Sequence, residues 1–170
     1  MDNNSYFNKK ANTYDQEDQK LFWKFTDEIL LHYIDRLLSH CNPHLRILDA
    51  GCGTGKWTSY LDKKFPFSKI EAIDINNQML SIAHEKAFSK NVRFSIEDMK
   101  ETSYEDNTFD LILAIHSIPF SCSIEKTINE LSRVLKKGGL VICTLFNGLD
   151  TLALNNLTNS IDNTTNQRHA

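Results

Sequence analysis

Glycine is scarce in this chain of 170 residues, with six in all, and proline is scarcer, with three. Tight turns that need a positive φ are therefore rationed, and any cluster of glycines marks a local requirement. Long apolar runs are also missing. Ile47-Leu48 and "LVICTLF" fall far short of a membrane span. The opening "MDNNSYFNKK" has no signal-peptide core, so a cytoplasmic protein without a membrane partner is expected. Neither sign of charge dominates: 19 Lys and Arg face 22 Asp and Glu, a net charge of -3, which argues against a general grip on a nucleic acid backbone. Cys41, Cys52, Cys122 and Cys143 form no CxxC pair, so reduced thiols are expected rather than a disulfide frame. The stretch "HCNPH" groups His40, Cys41 and His44, but no second cluster completes a metal shell. It reads as a helix end stopped by Pro43, and no metal is expected.

What is present is an ordinary soluble composition, 41% hydrophobic and 24% charged, in a length suited to one domain. Residues 1–16 read as a polar arm with Tyr6, Phe7 and Tyr14 for contacts. From 17 to 40, Phe22, Phe25, Ile29, Tyr33 and Leu37 recur at helical spacing and predict a covering helix that buries this stripe. "RILDA", "KIEAIDI", "NVRFSI", "FDLILAI" and "GLVICTLF" read as strands. Helices fall between them: one through Trp57 and Leu61, one capped by Asn76, and one capped by Ser123. In the last, Ile124, Ile128, Leu131 and Leu135 share a face, and Gly138 is the stop. This alternation predicts an α/β fold with an open, doubly wound parallel sheet and helices on both faces. Beyond residue 148, Leu149, Ala153, Leu157 and Ile161 have the spacing of a short amphipathic helix, followed by a polar tail expected to be disordered.

Half of the glycines fall in "ILDAGCGTG". Ligands of such sheets sit at the C-terminal ends of the strands, where Gly51, Cys52, Gly53, Thr54 and Gly55 lie, and glycines let a ligand approach backbone N–H groups. Asp74 ends the second strand, where a carboxylate can accept both hydroxyls of a ribose. A dinucleotide turn wants GxGxxG, but here the third glycine comes one residue early and Lys56 and Trp57 follow, which disfavours nicotinamide cofactors. Asp49, just before the turn, would repel a pyrophosphate and suits a cationic ligand.

At this point the chain resembles the class I S-adenosylmethionine-dependent methyltransferases. "ILDAGCGTG" is similar to their first motif, "IEAIDINNQML" to the second-strand motif, "SIEDM" to the adenine segment, and "FDLILAIHSI" and "RVLKKGGLVICTLF" to the fourth and fifth strands. "YFNKKANTYD" resembles the amino-terminal segment of the small-molecule branch, which folds over the cofactor. The resemblance implies S-adenosylmethionine as cofactor and a Rossmann-like sheet in order 3-2-1-4-5. It implies an arm or lid over 1–16, a core over 17–147, and a helix and tail over 148–170. Residue by residue, it implies that Asp49, Gly51 and Gly53 face the methionyl end, with Cys52, Thr54 and Gly55 completing the turn. Asp74 would take the ribose, with Ile75 and Met79 beside the adenine and Asp98 and Met99 at its edge. Ala114 and His116 would lie near the reacting methyl, and Tyr6 and Tyr14 would sit in the lid.

The implied reaction is methyl transfer to a small molecule, with His116 as the candidate base. Packing as a pocket wall is the alternative for His116, as core packing is for Ile75 and Met79. "AIHSIPF" lacks the motif expected for methylation of base amino groups, and Cys122 stands three residues after Pro119 rather than next to it, so nucleic acid is disfavoured as acceptor. The family sheet normally continues with a helix and two more strands, for which the residues after Phe146 are too few. The sheet is thus expected to lack its last two strands, and the fifth strand is expected to be an edge prone to self-association. The alternative to a methyltransferase is a module that holds the cofactor or its demethylated product without turnover.

Overall fold

The computed structural model describes residues 3–17 and 21–145. The expected helix and tail over 148–170, and Phe146, lie outside these residues. In chain order the elements are α1 (Asn3–Glu17), α2 (Leu21–Leu37), β1 (Arg46–Ala50), α3 (Lys56–Lys64), β2 (Lys69–Asp74) and α4 (Asn77–His84). There follow β3 (Val92–Ile96), β4 (Phe109–Ala114), a short 3-10 turn (Ile118–Phe120), α5 (Ile124–Val134) and β5 (Leu135–Cys143). The five strands form one sheet in the order β3-β2-β1-β4-β5, every pair parallel. Among the described residues no strand follows β5, which stands at one edge.

Alternation along the central strands divides the core into two layers. Ile47, Leu111 and Leu113 point to one face and pack with Ile34 of α2, Leu38 just past its end, and Trp57 and Leu61 of α3. Leu48, Ala50, Ile112 and Ala114 point to the other and pack with Leu131 and Val134 of α5. Strands covered on both faces need to be apolar at nearly every position, which is why "RILDA" and "FDLILA" read as continuous runs. Asn76 caps α4 by accepting from the Met79 N–H at 3.0 Å, and Ser123 caps α5.

Three local expectations are corrected. The α2 stripe does not cover the sheet: Phe25 is 62% exposed, Ile29 42%, Tyr33 60% and Leu37 57%, while the side chain of Phe22 is outside the described set. The face turned inward carries Leu30, Leu31, Ile34, Leu38 and a charged residue, Asp27. That carboxylate is satisfied by Lys56 and His116, so burial is tolerated. Next, α5 stops at Val134, and Leu135, Lys136 and Lys137 already belong to β5, where Leu135 pairs with Phe109 before an irregularity in the ladder. Gly138 has its positive φ inside that irregular stretch rather than as a helix stop. Finally, Ile124 of the expected α5 face is exposed, and Thr127 is buried in its place.

Candidate functional site

A cavity of about 410 Å3 opens at the C-terminal ends of β1, β2 and β4, beneath α1. Its floor is the glycine turn. The Gly51 and Cys52 N–H groups donate to the Ile73 carbonyl at 2.8 and 2.9 Å, tying the turn to β2. Gly51, at φ +76, passes so close to Ser117 that a Cβ would lie 2.4 Å from the serine Cβ. Gly53, at φ +55, has nothing within 4 Å of where a Cβ would stand, so its missing side chain leaves open space in the cavity wall. Gly55 serves packing instead, because a Cβ there would meet Phe88 at 3.0 Å and Ala83 at 3.3 Å.

Asp74 forms the lip on the β2 side. It accepts the Gly53 N–H at 2.8 Å through one oxygen and the Asn76 N–H at 2.8 Å through the other. Burial pushes its carboxyl up from the ordinary value, against those backbone N–H bonds. Ile75 and Met79 continue the lip, and Asp98, Met99 and Lys100 form the far wall. The ammonium of Lys100 lies 3.2 Å from Asp98 and 2.8 Å from the Cys122 sulfur.

His116, just past β4, lines the cavity in a left-handed conformation with φ 55, one of two such non-glycine residues among those described. Its backbone N–H donates to Thr144 Oγ1 at 2.7 Å, and its Nε2 lies 3.4 Å from Asp27 Oδ1. Burial works against the charge of Asp27, but hydrogen bonds with His116 and Lys56 hold its carboxyl below the ordinary value. Overhead, α1 is fastened to the core at three points. Asp15 takes the Thr54 hydroxyl at 2.6 Å and pairs with Lys86 at 2.7 Å, Asn8 takes the Asn76 amide at 2.8 Å, and Phe7 meets Phe120 edge-on at 5.0 Å.

Of the residues singled out from sequence, Tyr14, Gly51, Gly53, Asp74, Ile75, Met79, Asp98, Met99 and His116 line this cavity. Tyr6, Asp49, Cys52, Thr54, Gly55 and Ala114 do not. Tyr6 is turned outward against Phe7, and Phe7 takes the lining position. Asp49 is buried under the turn and accepts the Thr58 hydroxyl at 2.6 Å. Burial and the nearby Asp74 charge raise its carboxyl to about 7, against that hydrogen bond. Thr54 is spent on the α1 fastening, and Cys52 and Ala114 are buried. Eight lining residues were not singled out from sequence as site residues, among them Phe7, Asn76, Lys100, Ser117, Phe120 and Cys122; the i+7 spacing of Phe7 and Tyr14 was the available signal for the first. Among the described residues no group of His, Cys, Asp or Glu could hold a metal ion, and no helix is long and apolar enough to cross a membrane.

A parallel sheet in this order with a glycine turn under the cavity and an acid at the end of β2 defines the Rossmann-like class of nucleoside-binding folds. Within that class, residues 47–139, more than half of the chain, match the family described as "Methyltransferase domain". The chain belongs to the S-adenosylmethionine-dependent methyltransferase family. It is 33% identical over 142 residues to a malonyl-[acyl-carrier protein] O-methyltransferase of Priestia megaterium, covering 82% of this chain and 49% of that one. It is 36% identical over 103 residues to a demethylmenaquinone methyltransferase of Staphylococcus aureus, covering 58% and 42%. Among solved structures it is similar in fold to geranyl diphosphate C-methyltransferase from Streptomyces coelicolor, crystallised with Mg2+, geranyl diphosphate and S-adenosyl-L-homocysteine. That match has 20% identity and a TM-score of 0.62, over 69% of this chain and 45% of the other. The chain thus spans about half the length of the relatives it matches.

Proposed function

We propose that this chain binds S-adenosylmethionine in the cavity beneath α1 and transfers its methyl group to a small-molecule acceptor. The observation that carries the reading is the pairing of Gly53 and Asp74: a glycine whose absent Cβ leaves open cavity, hydrogen-bonded to a carboxylate at the lip. The donor set fits the cofactor, since bare backbone, an acid, apolar side chains and a second acid follow one another around the wall. When bound, the cofactor supplies a methyl group already activated by its sulfonium.

The protein's work is then to hold and to exclude. Gly51 and Gly53 let the methionyl part lie against backbone, and the Asp49 carboxyl buried beneath them, raised to about 7, is one that a cationic ligand would draw toward its ionised form. Asp74 accepts ribose hydroxyls, Ile75 and Met79 pack beside the base, and Asp98 with the Met99 backbone meets its edge. Phe7 and Tyr14 of α1 keep water out. His116 stands where the acceptor arrives, its ring steadied by Asp27, and is the group to take a proton if one is lost. The acceptor is a small molecule rather than nucleic acid, a reading supported by the net charge of -3 and by relatives named for malonyl-acyl carrier and demethylmenaquinone substrates. The chain further self-associates through the β5 edge.

Two measurements test the cofactor reading. S-adenosylmethionine and S-adenosylhomocysteine are expected to raise the melting temperature, and NAD is not; equal stabilisation by NAD would overturn it. Asp74→Ala is expected to weaken S-adenosylhomocysteine binding by about 1.5–3 kcal/mol, the worth of hydrogen bonds to a charged acceptor. Calorimetric titration showing no change would remove Asp74 from the site.

A further inference from the structure

The cavity wall from Glu97 to Lys100, which the cofactor reading gives to the adenine, belongs to neither a strand nor a helix. Its shape comes from a four-residue turn. The Glu101 N–H donates to the Asp98 carbonyl at 2.9 Å, and the Lys100 N–H donates to Asp98 Oδ1 at 3.0 Å. These bonds, with the Lys100 ammonium 3.2 Å from Oδ2, aim the Asp98 carboxylate relative to the turn. They do not fix where the turn stands relative to the glycine floor and Asp74, and that requires anchors outside it.

Both ends are anchored. At the start the Glu97 N–H donates to the Asp74 carbonyl at 3.2 Å, which ties the wall to the end of β2. At the far end Thr102, one residue past the turn, donates twice to a single oxygen of α5: its N–H reaches Glu130 Oε1 at 2.7 Å and its hydroxyl reaches it at 2.6 Å. The Glu130 side chain is only 11% exposed, and Arg133, one turn further along α5, holds it with two prongs. Arg133 Nε lies 2.8 Å from Oε2 and Nη2 lies 2.7 Å from Oε1, a pairing that fixes the plane of the carboxylate as well as its place. The same guanidinium donates to the Tyr104 carbonyl at 2.8 Å and pairs with Asp106 at 2.7 Å. Arg133 holds the Glu130 carboxyl down at about 2, so the acceptor for Thr102 is charged near neutral pH.

We propose that Glu130, braced by Arg133, is a positioning residue for the adenine of the cofactor, holding through Thr102 the turn that presents Asp98 and the Met99 backbone to its edge. The inference rests on the cofactor reading and extends it to Thr102, Glu130 and Arg133, none of which lines the cavity. A shift of Thr102 is passed to Asp98 through the Asp98–Glu101 pairing. A displacement of about 1 Å is enough to carry a hydrogen bond beyond its reach. The loss then falls on the adenine edge, because the ribose and methionyl positions are set by Asp74 and the glycine turn.

The test compares two ligands of the full chain by calorimetric titration: S-adenosylhomocysteine, and the analogue in which hydrogen replaces the adenine 6-amino group. The native chain is expected to prefer the first by about tenfold or more, the worth of a hydrogen bond to a charged acceptor. Glu130→Ala is expected to cut that preference to about twofold, by weakening S-adenosylhomocysteine while leaving the analogue nearly unchanged. Thr102→Val, which keeps the side-chain shape and removes only the hydroxyl bond, is expected to fall between the two, and it decides the matter alone if urea unfolding shows Glu130→Ala to be unfolded. Equal losses for both ligands, or a preference that survives in the folded variants, would make the brace a matter of stability alone and overturn the proposal. A native chain that does not distinguish the two ligands would refute the adenine assignment beneath it, and the proposal with it.

Discussion

Gly51 and Gly53 are two residues apart and both left-handed, yet they are expected to fail differently when a methyl group is added. At Gly51 the new Cβ would overlap Ser117 and approach Met99 Cε at 2.9 Å, so Gly51→Ala is expected to destabilise the fold by about 2–3 kcal/mol, strain and overlap together. At Gly53 the Cβ meets nothing, so Gly53→Ala costs only the strain of about 1 kcal/mol but places a methyl group in the cavity. Urea unfolding should therefore separate the two variants in one order, and S-adenosylhomocysteine titration should find the stable Gly53→Ala protein impaired. Equal stability losses would contradict the geometry. Asp49 gives a pH test. Its carboxyl, raised to about 7 in the folded state, stays protonated there at pH values where the unfolded chain, at about 3.9, has already lost its proton. The native state thus binds more protons across that window, and stability falls as pH rises from about 4 to 7. Asp49→Asn is expected to flatten the slope and to gain up to about 4 kcal/mol at pH 8; an unaltered pH dependence in urea melts would mean the carboxyl is not held neutral. At this scale the turn was legible because only glycine tolerates the conformation it needs. The left-handed φ of His116 and the burial of Asp27 were not, since both depend on partners far along the chain.

Elements were legible where one periodicity ruled and misread where two competed. The central strands β1 and β4 follow from nearly continuous apolar runs, β2 and β3 from apolar residues at alternate positions, and the strand order from the resemblance. In α2 both faces carry large apolar residues, and the inward row is interrupted by Asp27, so helical spacing marks the helix but does not tell which face it buries. The face of α1 was equally undetermined, because Tyr6 and Phe7 are adjacent and only the fastening of Asp15 and Asn8 to the core decides which ring turns inward. That fastening makes α1 a separable cover. Removing residues 1–17 is expected to leave the sheet's cooperative unfolding in place and to lower S-adenosylhomocysteine affinity about tenfold or more, since the cover excludes water from the ligand. The subtler variant, Asp15→Ala, releases Thr54 and Lys86 and should give part of that loss. Its effect should shrink with acid, because hydrogen bonds with Lys86 and Thr54 hold the Asp15 carboxyl below its ordinary value against burial, and their contribution is lost as pH falls through that lowered value. Full affinity after deletion would make α1 a bystander.

Across the whole molecule, the sheet is finished on the β3 side by a short strand and left open on the other by a long one. β5 pairs only with β4 among the described residues, so the outer backbone groups of Leu140, Val141, Ile142 and Cys143 face away from any partner strand. No charged residue or proline interrupts those four positions, and Val141 is 37% exposed, which leaves the edge without the devices that discourage strand addition. The family resemblance places the fifth strand beside two further strands, and among the described residues no strand pairs with its outer side. The expected consequence is association that grows with concentration and runs through backbone pairing at the edge. Sedimentation velocity over a hundredfold concentration range should show a monomer giving way to dimers. Val141→Lys, which keeps the β4 ladder but sets a charge on the edge strand, should shift that equilibrium toward monomer by about 1–2 kcal/mol, as like charges meet across the new pair. S-adenosylhomocysteine binding should be unaffected, because Val141 lies outside the cavity. A wild-type chain that stays monomeric throughout, or a Val141→Lys variant that associates as before, would show that the edge is covered by other means and that the open side of the sheet plays no part in assembly.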